Sequence, residues 1–224
     1  MAGINAPERV TQNHVIRFFS DKHRLNYTYI GNLHDSENSN IMQERLRAYL
    51  LRRGYSEKLI TGAIDALVKA STNLQQGLYA ANKEVYSLLK YGANVKENVG
   101  EPEKTVYFID FDNPSSNDFS VAEEVTVPGD HTKRPDIAVY VNGIALAVIE
   151  LKKSTISVSD GIRQNLNANP EATVFYNHTV LHGRQRQRRA SVWNTSDAGE
   201  ALFGMEAGWI SGVSRGAGRG GCPN

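Results

Sequence analysis

Two acids and a lysine stand at the ends of two short apolar runs. Asp136 lies in Arg134-Pro135-Asp136, and Glu150 and Lys152 lie in Ile149-Glu150-Leu151-Lys152-Lys153. Glu150 and Lys152 are two residues apart, so on an extended strand their side chains project from one face. Carboxylates and a lysine gathered at strand ends serve packing poorly. They suit a divalent cation with a positioned water, the equipment for hydrolysing a phosphodiester. Mg²⁺ takes oxygen ligands and keeps several waters, so two carboxylates, a backbone carbonyl and phosphate oxygens suffice. A cation so held polarises the phosphate and lowers the pKa of its water. Lys152 beside it would orient that water and offset charge on the phosphorane. The plain alternative is that Glu150, Lys152 and Lys153 form a solvated strand end while Asp136 caps a turn. For so short a spacing the alternative usually wins. Here the Pro-Asp step, the Asn142-Gly143 pair and the apolar runs agree, and they favour a cutting site.

The elements that must position these residues follow from pattern. Ile137 to Val141 and Ile144 to Ile149 predict a hairpin around Asn142-Gly143, the best short-range turn signal in the chain. A two-residue loop would set Asp136 opposite Ile149, on the other face from Glu150. A three-residue loop ending in a left-handed Gly143 moves the register by one residue and gives the two acids a common face. A shared metal therefore predicts the three-residue loop, unless a bulge resets the register. Upstream, Thr105 to Phe111 and Phe119 to Val127 read as strands, separated by the turn signal Asp112 to Asn117. Downstream, Ser157 to Leu166 reads as a short helix ending before Asn169-Pro170. The segment from Pro7 to about Gly92 reads as mostly helical. Apolar residues recur at helical spacing over Ile41 to Leu51, Leu59 to Leu67 and Asn82 to Tyr91. Helices, a strand meander and a returning helix indicate an α/β or α+β domain.

Composition sets the limits. The 224 residues carry a net charge of +1, so any DNA contact must come from a local patch rather than an overall basic field. Lys133, Arg134, Lys153 and Arg163 surround the motif and could hold phosphates, though each alone is an ordinary surface charge. Cys222 is the one cysteine, which excludes an internal disulfide framework and fits a reducing compartment. The six histidines form no ligand spacing suited to zinc. Without a signal-like or membrane-length apolar run, the chain is expected to be cytoplasmic, with no membrane partner. Glu8 on the first helix could add an acid near the metal or simply favour the helix N-terminus. Glu123-Glu124 reads as a strand-edge feature, one side chain facing the sheet.

The stretch RPDIAVYVNGIALAVIELKKSTISVSDGIRQNL resembles the PD-(D/E)xK nuclease core of the R subunit of type I restriction enzymes. INAPERVTQNHVIRFF, YIGNL, NKEVYSLLKYG and NDFSVAEEVTV extend the resemblance over roughly residues 4–175. It implies a restriction-endonuclease-like fold, a mixed central sheet flanked by helices, with a helical part at about 7–92 and a catalytic core at about 104–175. It implies Asp136 and Glu150 as metal-binding acids and Lys152 as the catalytic lysine. Gln164 matches the glutamine of a further Q-x-x-x-Y element, whose tyrosine position holds Ala168 here. The implied activity is Mg²⁺-dependent hydrolysis of double-stranded DNA by a type I site-specific deoxyribonuclease, driven by ATP only in the full parent complex. The implied partners are double-stranded DNA and the methyltransferase and specificity subunits. No G-x-x-x-x-G-K-[ST] loop occurs, so the ATP-driven motor is expected to be absent. The alternative is a catalytically silent, truncated remnant that acts as a DNA-binding or assembly module.

After about Phe175 the composition changes: lysine stops at Lys153, and arginine, glycine and alanine take over. A basic, flexible tail would explain this. A shifted reading frame explains more. Codons permitted for Val180 to Ala207, read one base forward, can give YCMAGNDSEGLRYGTHRTPEKHYLEWKQ. That string resembles the MAGN…GLRYGT and PEK…LEWK segments that follow the nuclease motif in R subunits. Some outcomes are forced, since Met205-Glu206 must yield tryptophan and Trp193-Asn194 must yield glycine. The reading therefore divides the chain into a nuclease domain, 1–179, and a frameshifted Gly/Arg-rich tail, 180–224, expected to be disordered.

Overall fold

The computed structural model describes residues 6–35, 38–73, 78–126, 134–151, 181–186 and 189–193. Along the chain run α1 (Ala6–Ser20), β1 (Thr28–Asn32), α2 (Gln43–Arg52), α3 (Glu57–Thr72), α4 (Leu78–Tyr91), β2 (Ala93–Val95), β3 (Lys104–Val106), β4 (Phe119–Glu123), β5 (Ile137–Val141), β6 (Ile144–Leu151), β7 (Leu181–Arg186) and β8 (Arg189–Trp193). The fold is mixed α/β, as the pattern predicts. Six strands form one sheet in the order β1-β4-β5-β6-β7-β8, and β2 and β3 form a separate pair. β1–β4 and β6–β7 are parallel, whereas β4–β5, β5–β6 and β7–β8 are antiparallel.

The helical layer follows from spacing and caps. Ser56 begins α3 by accepting a hydrogen bond from the Leu59 amide at 3.4 Å. Leu59, Ile60, Ala63, Ile64 and Leu67 then recur on one face and are buried. They pack with Leu46, Tyr49 and Leu50 of α2, Val85 and Leu89 of α4, and Phe108. Each fully buried Leu or Ile contributes about 1.5–3 kcal/mol, so this face holds α2, α3 and α4 together. Gly92 ends α4 with φ +80, its amide donating to Leu88 O at 2.8 Å.

Both faces of the sheet are covered at β4, β5 and β6. Tyr140 packs with Ala122, Val125, Ala138, Ala145 and Val148 on one side. On the other, Ile16 of α1 packs with Val121, Ile137 and Leu151. The helix α1 therefore crosses the end of the hairpin where the acids lie.

The hairpin differs from the three-residue expectation. Val141 pairs with Ile144, leaving a two-residue loop in which Asn142 (φ +53) and Gly143 (φ +84) are both left-handed. Two positive φ values suit the twist of the flanking strands, as in a type I′ turn. A Cβ at Gly143 would lie 2.8 Å from Met42 O and 2.9 Å from Arg45 Cβ, so the start of α2 also requires glycine there. The register is reset elsewhere: Tyr140 pairs with Ala145 but Val139 pairs with Ala147, so Leu146 is an extra residue in a bulge.

The stretch 7–92 is mostly helical, as expected, with β1 as an edge strand without apolar alternation, paired through backbone to β4. Two strand expectations are corrected. The strand expected over Thr105 to Phe111 stops at Val106; beyond it Asp110 accepts from the Asn113 amide at 2.8 Å and Ser116 Oγ at 3.0 Å, which turns the chain. The strand expected to Val127 ends at Glu123, where Glu124 takes φ +51. Within the tail read as frameshifted, residues 181–186 and 189–193 form β7 and β8 at the edge beyond β6. A free sheet edge offers unpaired backbone groups, and pairing with it asks little of side-chain identity. The helix expected at Ser157 to Leu166 lies outside the described residues.

Candidate functional site

Asp136 is the last residue before β5 and is half-buried. Its Oδ2 accepts a hydrogen bond from the Leu151 amide, tying the start of β5 to the end of β6. Its main-chain oxygen accepts from Gln12 Nε2 at 3.0 Å and from the Glu124 amide at 3.0 Å. Beyond the bulge Ile137 faces Ile149, and one further step of that ladder sets position 136 opposite position 150. The bulge thus resets the register, the exception to a longer loop that the sequence reading allowed.

The other expected site residues fall differently. Glu150 lies in β6 at the position opposite Asp136. Arg134 is exposed, and its Nε lies 3.5 Å from Glu124 Oε2. Glu8 lies in the first turns of α1. Lys133, Lys152, Lys153, Arg163, Gln164 and Ala168 lie outside the described residues. Among the described residues no three His, Cys, Asp or Glu side chains are grouped as a ready metal cage. Mg²⁺ is commonly held by one or two carboxylates with waters and phosphate completing the shell. Asp136 at a strand end, with a second acid at the opposed position, fits that oxygen-donor chemistry.

Beside Asp136 lies a charged network that the sequence reading largely missed. The Arg9 guanidinium donates to both carboxylate oxygens of Glu123, at 2.8 and 3.1 Å. Tyr29 Oη donates to Glu123 Oε1 at 2.8 Å. Burial, reinforced by this bond to the carboxylate, pushes the Tyr29 phenol up to about 12. The same carboxylate raises the pKa of Arg9, chiefly through the hydrogen bond. Gln12 donates its amide to Glu124 Oε1 at 2.9 Å and to the Asp136 carbonyl. Glu123 and Glu124 are only 3 % and 7 % exposed, so both acids are buried and neither is an edge feature. Two consecutive residues of a regular strand point to opposite faces; the left-handed Glu124 breaks that rule. A signal for Gln12 was present: it sits four residues before buried Ile16 on α1, a polar residue in the apolar stripe.

Among the described residues, no helix is long and apolar enough to cross a membrane. Residues 6–183 match the family described as Type I restriction enzyme R protein N terminus. The chain is 30 % identical over 107 residues to the type I restriction enzyme MjaIXP endonuclease subunit of Methanocaldococcus jannaschii, a match covering 44 % of this chain and 10 % of that protein. It is 30 % identical over 117 residues to the type I restriction enzyme HindI endonuclease subunit of Haemophilus influenzae, covering 50 % of this chain and 11 % of that protein. These matches span about a tenth of the length of either curated relative.

Proposed function

Since the chain belongs to the Type I restriction enzyme R protein N terminus family, we propose that it is the nuclease module of such an R subunit and hydrolyses double-stranded DNA with Mg²⁺. The observation that carries this reading is the bulged hairpin, whose register opposes position 150 to Asp136. Asp136 and Glu150 would hold the cation. When bound, it supplies polarisation of the scissile phosphate and a water of lowered pKa. Asp136 stays at the strand end because its Oδ2 is engaged by the Leu151 amide. Lys152 would orient the attacking water and offset charge on the phosphorane, and Gln164 would add a further polar group to the site. Lys133, Arg134, Lys153 and Arg163 hold backbone phosphates without reading sequence. In the parent complex the cut is licensed by an ATP-driven motor and directed by methyltransferase and specificity subunits.

The test is nicking of supercoiled plasmid by the purified chain with Mg²⁺. Asp136→Asn and Lys152→Ala are each expected to slow it by at least about 100-fold while leaving the urea midpoint near that of the parent. Equal nicking by Asp136→Asn would overturn the assignment. Mg²⁺ binding that Asp136→Asn removes, with no nicking in the parent, would identify a silent DNA-binding or assembly module instead.

A further inference from the structure

Glu124 stands in the left-handed backbone region although it carries a side chain, and its carboxylate is buried. Such a conformation is costly for a residue other than glycine and persists only where the surroundings over-determine it. Here the surroundings all lead to Asp136. The Glu124 amide donates to the Asp136 carbonyl at 3.0 Å. Gln12 Nε2 bridges Glu124 Oε1, at 2.9 Å, and the same carbonyl, at 3.0 Å. The adjacent Val125 amide donates to Pro135 O at 3.2 Å, so the peptides on both sides of Asp136's α-carbon are held. The second carboxylate oxygen of Glu124 faces Arg134 Nε at 3.5 Å. A guanidinium two residues before Asp136 would otherwise compete with a cation for that carboxylate.

We propose that Glu124, acting through Gln12 and its own backbone amide, is a positioning residue for Asp136, an inference that rests on the nuclease reading of the same site. It fixes the peptide that carries the metal-holding acid to α1, and it engages Arg134 through Nε. Glu124 does not itself touch the substrate in this role.

Two variants separate positioning from mere folding. Glu124→Gly removes the carboxylate while relieving the left-handed backbone and keeping the amide donor. Glu124→Gln keeps an acceptor for Gln12. One measurement is amide exchange at Leu151, the donor to Asp136 Oδ2, against the Tyr49 and Leu50 amides of α2 as internal references. The other is Mn²⁺ binding to the full chain by calorimetry. In Glu124→Gly, Leu151 exchange should rise by about tenfold or more with the α2 amides unchanged, and Mn²⁺ affinity should fall by about 10- to 100-fold. Glu124→Gln should retain most of the Leu151 protection. Leu151 exchange at the parent rate in Glu124→Gly would overturn the proposal, as would protection lost as fully in Glu124→Gln. If the parent chain binds no Mn²⁺, that result counts against the metal reading, and the Leu151 amide alone decides the positioning role.

Discussion

At the closed end of the β5–β6 hairpin the buried polar groups are neutral amides, each paired. Asn142 is fully buried; its Nδ2 donates to Phe108 O at 2.8 Å and to Asn117 Oδ1 at 2.9 Å, and its Oδ1 accepts from the Asp118 amide at 2.7 Å. Asn117 in turn reaches Tyr49 of α2 and the Asp110 carbonyl. At the open end, Asp136 sits among Glu123, Glu124, Arg9 and Arg134. Both networks are anchored to helices, one to α2 and one to α1. The difference is charge. Neutral amides paired to backbone can be buried at modest cost, so they serve to fix one conformation. Buried carboxylates cost far more to desolvate and are weak evidence of stabilisation. The closed end holds one acid near its amides, Asp110, paired with Arg53 at 2.9 Å; the concentration of acids at the open end is what the proposed nuclease reading expects of it.

The strongest way to break this comparison is at Asn142. Asn142→Ala removes a left-handed residue's side chain together with its three buried hydrogen bonds, so it should cost about 3–5 kcal/mol in urea denaturation. Nicking per folded molecule should be unchanged. Asp136→Asn at the open end should do the reverse, losing nicking with little change in stability. A stability loss at Asp136 as large as that at Asn142 would mean the open end is also primarily structural.

The same contrast explains what could be read from the sequence. The closed end was legible because its chemistry is local: Asn-Gly between apolar runs names its own turn, and Gly92 names the end of α4. The apolar stripes of α2 to α4 were legible for the same reason. The acids at 136 and 150 were legible as residue types at strand ends, but their register was not. It depends on a bulge at Leu146, and Leu146 carries no local mark of being the extra residue. The network around Asp136 was hidden more deeply, since Gln12 and Glu124 are 112 positions apart and only folding brings them together. Likewise β1 has no alternation of its own and exists through its pairing with β4.

Titration offers a smaller, two-sided test. Tyr29 at the open end has its pKa raised to about 12 from 10, through burial and then its bond to Glu123. A group with a raised folded pKa contributes fully below its unfolded value and loses that contribution as pH rises through the folded one. Stability should therefore fall between about pH 10 and 12 on this account, and Tyr29→Phe should flatten that limb. Asp110 at the closed end is lowered below its ordinary 3.8 by the Asn113 amide, with Ser116 and Arg53 adding to it. Its contribution is present above the ordinary value and lost as pH falls below it, so Asp110→Asn should flatten the acid limb. Melting temperature against pH for the two variants should thus separate the ends. If either variant flattens both limbs, the two networks are coupled.

The smallest effect concerns a polar group that stands between the two ends. Tyr140 is fully buried, and its hydroxyl has no hydrogen-bond partner among the described residues. Burial raises its pKa, since nothing there favours the phenolate. An unpaired buried hydroxyl costs free energy, and replacing it by hydrogen in the same shape recovers part of that cost. Tyr140→Phe should therefore be neutral or stabilise the protein by up to about 1 kcal/mol, with nicking unchanged. The neighbours Ala122, Val125, Ala138, Ala145 and Val148 would then simply continue the apolar layer that insulates one network from the other. A loss of more than about 1 kcal/mol would instead mean that the hydroxyl is hydrogen-bonded by a segment outside the described residues. In that case the layer is polar at its centre, and the neutral and charged ends are not separated by an apolar partition.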